Sequence, residues 1–316
     1  MSKLRVGIIG TGHLGAFHAR VYSMIASNPK NNVAFVGVCD ICEERAKEIA
    51  EKYGTKHFND YKDMLDIVDA VSIVVPTSLH HMVARDFLKA GVHVLVEKPM
   101  TKTLEEADEL IKLAAKKNLA LQVGHIERFN SAVRAIEPYL AKPTFIECQR
   151  LGSIKRKGRI KDVGVVLDLM IHDIDIILSL VNSKVKNMVA FGASTVSEHE
   201  DIANVRITFE NNVIADITAS RVTKEEVRKL RIFQEDSYLL LDYMTHEAFL
   251  FKKSRKSGKD LKKTKLRIKK HDALEVELAS FLECVRENKR PIVSGIEGRQ
   301  ALKVGLDILD KINGRV

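Results

Sequence analysis

Asp168 and His172 stand four residues apart in Gly164-Val165-Val166-Leu167-Asp168-Leu169-Met170-Ile171-His172-Asp173-Ile174-Asp175, a run that is apolar at most of its other positions. Such a run reads as a largely buried helix. Residues four apart share one helix face, with Cβ atoms about 5–6 Å from each other. A carboxylate and an imidazole are costly to bury unless each has a partner or a task. For this helix taken alone, a satisfied core pair is the simpler explanation. Lys98 changes the balance. It follows the apolar run Val92–Val96 in Glu97-Lys98-Pro99, beside a proline that stiffens its loop. A lysine, a histidine and an aspartate supply the parts for oxidising an alcohol. His172 titrates near working pH and can take the hydroxyl proton. Lys98 can hydrogen-bond the same oxygen as negative charge develops there. Asp168 can orient His172 or the substrate, and the hydride would go to a nicotinamide.

The elements that must position these groups begin at the N-terminus. Val6, Ile8 and Ile9 lead into Gly10-Thr11-Gly12-His13-Leu14-Gly15, then a stretch of helix-compatible composition, then the apolar run Val33–Cys39, which stops on Asp40. A G-x-G-x-x-G that follows a strand, opens a helix and is answered by an acid on the next strand predicts a dinucleotide-binding unit. Gly10 permits the tight turn, and Gly12 lets a pyrophosphate approach the backbone. Gly15 lets helix and strand pack closely, while the helix N-terminus offers N–H groups to the phosphates. Asp40 can accept hydrogen bonds from the adenosine ribose and would repel a 2′-phosphate. Ile41-Cys42-Glu43 offers no basic neighbour to neutralise one, so NAD is expected rather than NADP.

Strand and helix patterns alternate through the first third: a polar-faced helix over Glu43–Tyr53, an apolar run at Ala70–Val75, helices over Leu79–Ala90 and Thr103–Lys117, and strands at Val92–Val96 and Leu119–Val123. Apolar strands separated by amphipathic helices predict a parallel, doubly wound sheet. The carboxyl ends of its strands should line the ligand crevice. On that rule Pro76, Thr77, His80, Glu97 and Lys98 join Gly10–Gly15 and Asp40 as cofactor contacts, although Ser78 also reads as a plausible helix cap.

Beyond residue 122 the character changes. One strong helix, Val163–Leu180, precedes strand-like runs at Val185–Ala193, Ile202–Phe209, Val213–Ser220, Val227–Phe233, Tyr238–Leu241 and Ala248–Phe251, with a hairpin signal at Asn211-Asn212. This predicts an α+β domain with an open, mostly antiparallel sheet and helices on one face. Helices at Ala273–Asn288 and Glu297–Asn313 close the chain. The division read from the sequence is 1–122 for NAD binding and 123–316 for substrate binding and oligomerisation.

Composition narrows the classes of function. The net charge of +9 is carried almost wholly by the second part: residues 1–122 hold 16 Lys and Arg against 15 Asp and Glu, residues 123–316 hold 35 against 27. Such an excess suits an anionic partner. No nucleic-acid motif accompanies it, and the basic stretches lack interleaved aromatics. No apolar run reaches a membrane span, and four cysteines without an extracellular context suggest reduced thiols and a cytoplasmic address. The Cys39-x-x-Cys42 spacing is not read as a metal site, because Cys39 lies in the strand that presents Asp40. Ser254–Lys270, dense in Lys and Arg, reads as a solvated loop between edge strands.

Taken together these residues resemble the glucose–fructose oxidoreductase/inositol dehydrogenase/rhizopine catabolism family of NAD(P)-dependent sugar oxidoreductases. The resemblance covers essentially the whole chain and rests on Gly10–Gly15, Asp40, Pro76–His80, Glu97-Lys98-Pro99, Asp168-x-x-x-His172 and the Pro291–Gly295 turn. It implies that Lys98, Asp168 and His172 form the catalytic group. It also implies that the second domain's sheet forms the subunit interface of a homodimer or homotetramer. The glycine pair usual before the catalytic helix is here Gly164 followed by Val165. Gly124–Asn130 is similar to the segment of members that oxidise the 3-hydroxyl of UDP-N-acetylglucosamine or its uronic acid, which implies a substrate-binding role for Arg128 and Asn130. Independently, the basic loop that contains Lys155, Arg156 and Lys157 precedes the catalytic helix and suits a diphosphate. A UDP-sugar is therefore the expected substrate. A free polyol such as myo-inositol is the alternative, and a non-catalytic NAD-sensing regulator the second; the presence of Lys98, Asp168 and His172 argues against the regulator.

Overall fold

A computed structural model describes residues 2–153, 163–254 and 260–314 of the chain. They form two compact units, one of residues 1–126 with 272–300 and one of 127–271 with 301–316.

In the first unit strands and helices alternate: β1 (Leu4–Ile9), α1 (His13–Ser27), β2 (Val33–Cys39), α2 (Glu43–Tyr53), β3 (Lys56–Phe58), β4 (Ala70–Ile73), α3 (Thr77–Ala90), β5 (His93–Glu97), α4 (Leu104–Lys117) and β6 (Leu121–Gly124). The sheet order is β3-β2-β1-β4-β5-β6 and each pairing is parallel. Near-continuous burial of Val6, Ile8, Val71, Ile73 and Val94–Val96 explains why these strands lack apolar–polar alternation. Helices stop where left-handed residues follow, at Gly54, Gly91 and Asn118, and α4 opens on a Thr103–Glu106 capping box. Ser78 does not cap α3. That helix starts directly after Pro76 with no side-chain cap.

Helix α7 (Ala273–Glu287) and the first residues of α8 (Gly295–Ile312) also belong to this unit, where the sequence division assigned everything after residue 122 to the second domain. The cause is the apolar face of α7. Leu274, Leu278, Phe281 and Leu282 complete the core that Val6, Ile8, Ala19 and Tyr22 begin. The turn before α8 is tied to β6 by Val123 N–H donating to the Val293 carbonyl at 2.9 Å.

The second unit holds α5 (Ser131–Ile136), β7 (Pro143–Leu151), α6 (Ile171–Val181) preceded by a π-helical turn (Val166–Met170), β8 (Val185–Ala193), β9 (Ile202–Phe209), β10 (Ile214–Ser220), β11 (Val227–Gln234), β12 (Ser237–Asp242), β13 (Glu247–Lys253) and β14 (Leu261–Lys265). Its sheet runs β14-β13-β12-β11-β7-β10-β9-β8 and is antiparallel except between β7 and β10. Helix α6 packs on β7, the π turn on β10, and α5 on β12 and β13. Their buried partners, among them Ile146, Val205, Ile207, Ile217, Leu230 and Ile232, are the inward halves of alternating strands. Asn212, at φ +65°, turns the chain from β9 into β10. The Ser254–Lys270 stretch, read as a loop, contains strand β14; its residues 255–259 lie outside the described part. Among the described residues no helix is long and apolar enough to cross a membrane.

Candidate active site

The strand order reverses beside β1, so the carboxyl ends of β1 and β4 flank the crevice where nucleotides bind in such sheets. Gly10 there has φ +98°, and a Cβ would lie 2.4 Å from the Val74 carbonyl oxygen. A Cβ on Gly15 would lie 1.9 Å from the Gly10 carbonyl oxygen, so this glycine sets how closely α1 approaches the turn. At Gly12 a Cβ would meet nothing within 4 Å. The open side of the turn is the side a pyrophosphate needs. Helices α1 and α3 both begin without a side-chain cap and without an acid in the first turn, leaving N–H groups for an anion. His13 and Leu14 are exposed at the start of α1, with His13 edge-on to Phe17 at 4.9 Å. The residues present fit a dinucleotide.

Asp40 ends this cradle in a more committed state than the sequence suggested. One carboxylate oxygen accepts from the Thr11 amide at 2.7 Å and the Thr11 hydroxyl at 2.8 Å; the other accepts from the Cys42 amide and the Arg45 guanidinium, each at 2.9 Å. Burial pushes the Asp40 carboxyl up, but the amides of Cys42 and Thr11 together with Arg45 outweigh it and hold the group below its ordinary value. Arg45 is the basic neighbour that the Ile41–Glu43 reading did not find. It lies a helical turn further on and reaches back.

At the ends of β4 and β5, the loops are tied together by His80. Its Nδ1 is 2.9 Å from the Pro99 carbonyl and its Nε2 is 2.9 Å from the Val75 carbonyl. Burial pushes this imidazole below its ordinary pKa, and the two carbonyls only partly offset it. Both ring nitrogens thus face backbone, and His80 holds the loop that bears Pro76 and Thr77 rather than presenting a polar atom of its own. Glu97, side chain 12% exposed, lies 3.3 Å from His18 Nε2 and accepts from the Lys98 amide at 3.3 Å. Burial pushes Glu97 up; the hydrogen bond and charge of His18, with Lys98, hold it below its ordinary value. Gly124 gives this carboxylate room, since a Cβ there would lie 2.9 Å from it. His18 was not foreseen. Its signal is its place three residues past Gly15, on the side of α1 that faces the sheet.

In the second unit Asp168 lies in the π turn and His172 in the first turn of α6, both half-buried. In an α-helix, residues four apart are offset by about 40°. The wider π turn reduces that offset, so the two side chains lie more nearly one above the other. Glu200 sets up this turn: its backbone carbonyl accepts from Val165 N–H and its carboxylate from Val166 N–H, each at 3.0 Å. A Cβ on Gly164 would fall 1.9 Å from that carboxylate, so any larger residue here would push Glu200 off the turn. Glu200 was not singled out because nothing in Glu198-His199-Glu200 distinguishes it from a solvated turn.

The expected substrate residues fare differently. Asn130 caps α5 by accepting from Ala132 N–H at 3.0 Å and donates to Glu127 at 3.0 Å. Arg128 lies 3.6 Å from the buried carboxylate of Asp175. Lys155, Arg156 and Lys157 lie outside the described residues.

Comparison with known proteins agrees with this architecture. Residues 4–125 match the family described as an oxidoreductase family with an NAD-binding Rossmann fold, and residues 142–239 match the C-terminal domain of the same glucose–fructose oxidoreductase/inositol dehydrogenase/rhizopine catabolism group. The UDP-N-acetylglucosamine 3-dehydrogenase of Acidithiobacillus ferrooxidans is 35% identical over 98% of this chain and 97% of its own length. A solved structure of that enzyme superposes with a TM-score of 0.91 at 34% identity, covering 100% of this chain and 99% of the other. The scyllo-inositol 2-dehydrogenase (NAD(+)) of Bacillus subtilis is 27% identical over 96% of this chain and 92% of its own. The chain therefore belongs to this family of Rossmann-fold oxidoreductases. It is an NAD-dependent enzyme acting on CH–OH groups.

Proposed function

We propose that the chain oxidises the 3-hydroxyl of a UDP-N-acetylhexosamine, UDP-N-acetylglucosamine or its uronic acid, to a ketone. Its product would then serve amino-sugar and cell-surface polysaccharide synthesis in the cytoplasm. What carries the substrate reading is full-length likeness to a UDP-N-acetylglucosamine 3-dehydrogenase, above the likeness to an inositol dehydrogenase. NAD, when bound, supplies the hydride acceptor. Gly10, Thr11, Gly12, His13, Leu14 and Gly15 bind its pyrophosphate end, and Asp40 its ribose. Pro76 and Thr77, on the loop held by His80, and Glu97 with Lys98 form the remaining wall. His172 takes the proton of the substrate hydroxyl, and Lys98 donates to the same oxygen as it gains negative charge. Asp168, stacked beneath His172, orients it. Lys155, Arg156 and Lys157 neutralise the substrate diphosphate. Two or four copies assemble through the outer face of the eight-stranded sheet.

The test is NAD reduction followed by absorbance with UDP-N-acetylglucosamine, its uronic acid, UDP-glucose, myo-inositol and glucose. The protein is first freed of any NAD(H) it carries. Turnover confined to the acetylated UDP-sugars is expected. Turnover of myo-inositol alone would replace the substrate and keep the chemistry, and bound NAD with no turnover of any of the five would count against this reading.

A further inference from the structure

Beneath the helix that carries His172 lies a largely buried set of charges. Arg150, on β7 and 4% exposed, donates to both oxygens of Asp173, Nε to Oδ2 and Nη2 to Oδ1, each at 2.7 Å. Its Nη1 donates to Glu127 at 3.0 Å, and its guanidinium carbon lies 5.2 Å above the ring of Tyr243. Glu127 holds Asn130, and Arg128 lies against Asp175, two residues further along α6. Glu127 and Arg128 belong to the very segment whose sequence suggested substrate contact.

Burying five charges in one core is a poor route to stability, because apolar side chains of the same volume do as well or better. What a bidentate pair supplies is geometry. Asp173 is the residue after His172, so its fixed carboxylate sets both the rotation and the axial position of α6. The helix gains from this second anchor, because its first turn is π-helical and the Glu200 carboxylate that caps it comes from a loop distant in sequence. His172 sits about 100° round the axis and 1.5 Å along it from Asp173. An imidazole displaced by 1 Å from the reacting oxygen loses about a hundredfold in rate.

We propose that Arg150 is a positioning residue for the reaction: through Asp173 and Glu127 it locks the helix that presents Asp168 and His172, and the Glu127–Asn130 segment serves this lock. The proposal rests on the reading that His172 is the base. Asp173→Asn keeps the shape and leaves Arg150 paired with Glu127, so it should fold; Arg150→Lys removes the bidentate fork. Val205→Ala, in the same core but on β9, two strands from β7, serves as a control for lost stability.

With UDP-N-acetylglucosamine and NAD, Asp173→Asn and Arg150→Lys should lower kcat by 30-fold or more, with the substrate KM and the NADH Kd within threefold of the parent. The control should keep kcat within twofold. Hydrogen exchange of amides 166–176 should quicken in Asp173→Asn and not in the control, a readout that needs no turnover. Unchanged kcat, a loss confined to KM, equal losses in the control, or unchanged exchange would each overturn the lock. His172→Ala separates the two readings: normal turnover there removes His172 as the base, whatever the lock variants do.

Discussion

In the proposed reaction Lys98 and His172 meet the same substrate oxygen in different ways, and their substitutions should differ from those of the cofactor cradle. Replacing either by alanine removes an interaction made chiefly in the transition state, so kcat should fall by about a thousandfold or more. NADH affinity, read by fluorescence titration, should stay within a few-fold of the parent. Parent-like turnover in both variants would remove them from the mechanism. Asp40 tests the other end. Its carboxylate holds Thr11 in the glycine turn and pairs with Arg45. Asp40→Ser should weaken NADH about tenfold or more, by loss of hydrogen bonds to a charged acceptor. It also leaves Arg45 without its carboxylate, and a guanidinium so placed favours a 2′-phosphate. NADPH should therefore gain on NADH by at least tenfold in the same titration; parallel losses of both would show that Arg45 does not face that position.

Two short stretches, the π turn and the loop before β9, form one device at the scale of elements. Glu200 caps the π turn, and its neighbour Asp201 anchors the loop by accepting from the amides of Thr195, Val196 and Ser197 at 2.7, 2.7 and 3.0 Å. Burial alone would raise the Asp201 carboxyl; the amides of Val196, Thr195 and Ser197 with the Ser197 hydroxyl bring it down to about 2. A depressed carboxyl stabilises the fold above its unfolded pKa, and that contribution is lost as pH falls through the folded one. Asp201→Asn should therefore cost on the order of 1–2 kcal/mol at pH 7. The gap to the parent should close between about pH 4 and pH 2 in thermal melts; a gap constant with pH would show that the charge is irrelevant. Gly164→Ala pushes the Glu200 carboxylate from its seat and should cost about 1 kcal/mol, the usual worth of a cap, with a tenfold loss of kcat and unchanged NADH affinity. An unchanged kcat would mean that the cap does not position Asp168.

These elements also show what could be read in advance. The glycine turn, the parallel strands and the Asp168–His172 pair were legible because each has a short-range signature: positive φ, continuous burial, and i, i+4 spacing. The π turn was not, because its cause is Glu200, more than 30 residues away. Nor was β14, whose sequence Leu-Lys-Lys-Thr-Lys has no apolar alternation. Lys263 and Lys265 hold it by placing their ammonium groups over Phe249, Nζ at 4.2 and 5.8 Å from the ring centre, and the lysines of this strand blunt an exposed sheet edge. The return of α7 to the first unit was hidden for a similar reason: its apolar stripe shows that it is buried but not against which core.

At the scale of the whole molecule the question is what covers the outer face of the eight-stranded sheet. Its inner face is filled by α5, α6 and the π turn. On the other, Phe145, Phe233, Tyr238 and Phe251 stack across β7, β11, β12 and β13, with successive ring centres 5.8, 5.3 and 4.2 Å apart, all partly exposed. Beside them Glu147 pairs with Arg231 at 2.9 Å and Arg206 with Asp216 at 2.6 Å, and Lys263 Nζ lies 5.7 Å from the Phe251 ring centre. An aromatic stripe flanked by paired charges is the composition expected of an interface core with a polar rim. Light scattering should give at least twice the chain mass of 35.5 kDa. Tyr238→Asp places a charge in the middle of the stripe without entering the core, so the mass should fall to that of one chain while the circular dichroism stays the same. A parent protein that already scatters as one chain would remove the sheet as an interface. Conversely, an aspartate variant that keeps the full mass would move the interface to another face.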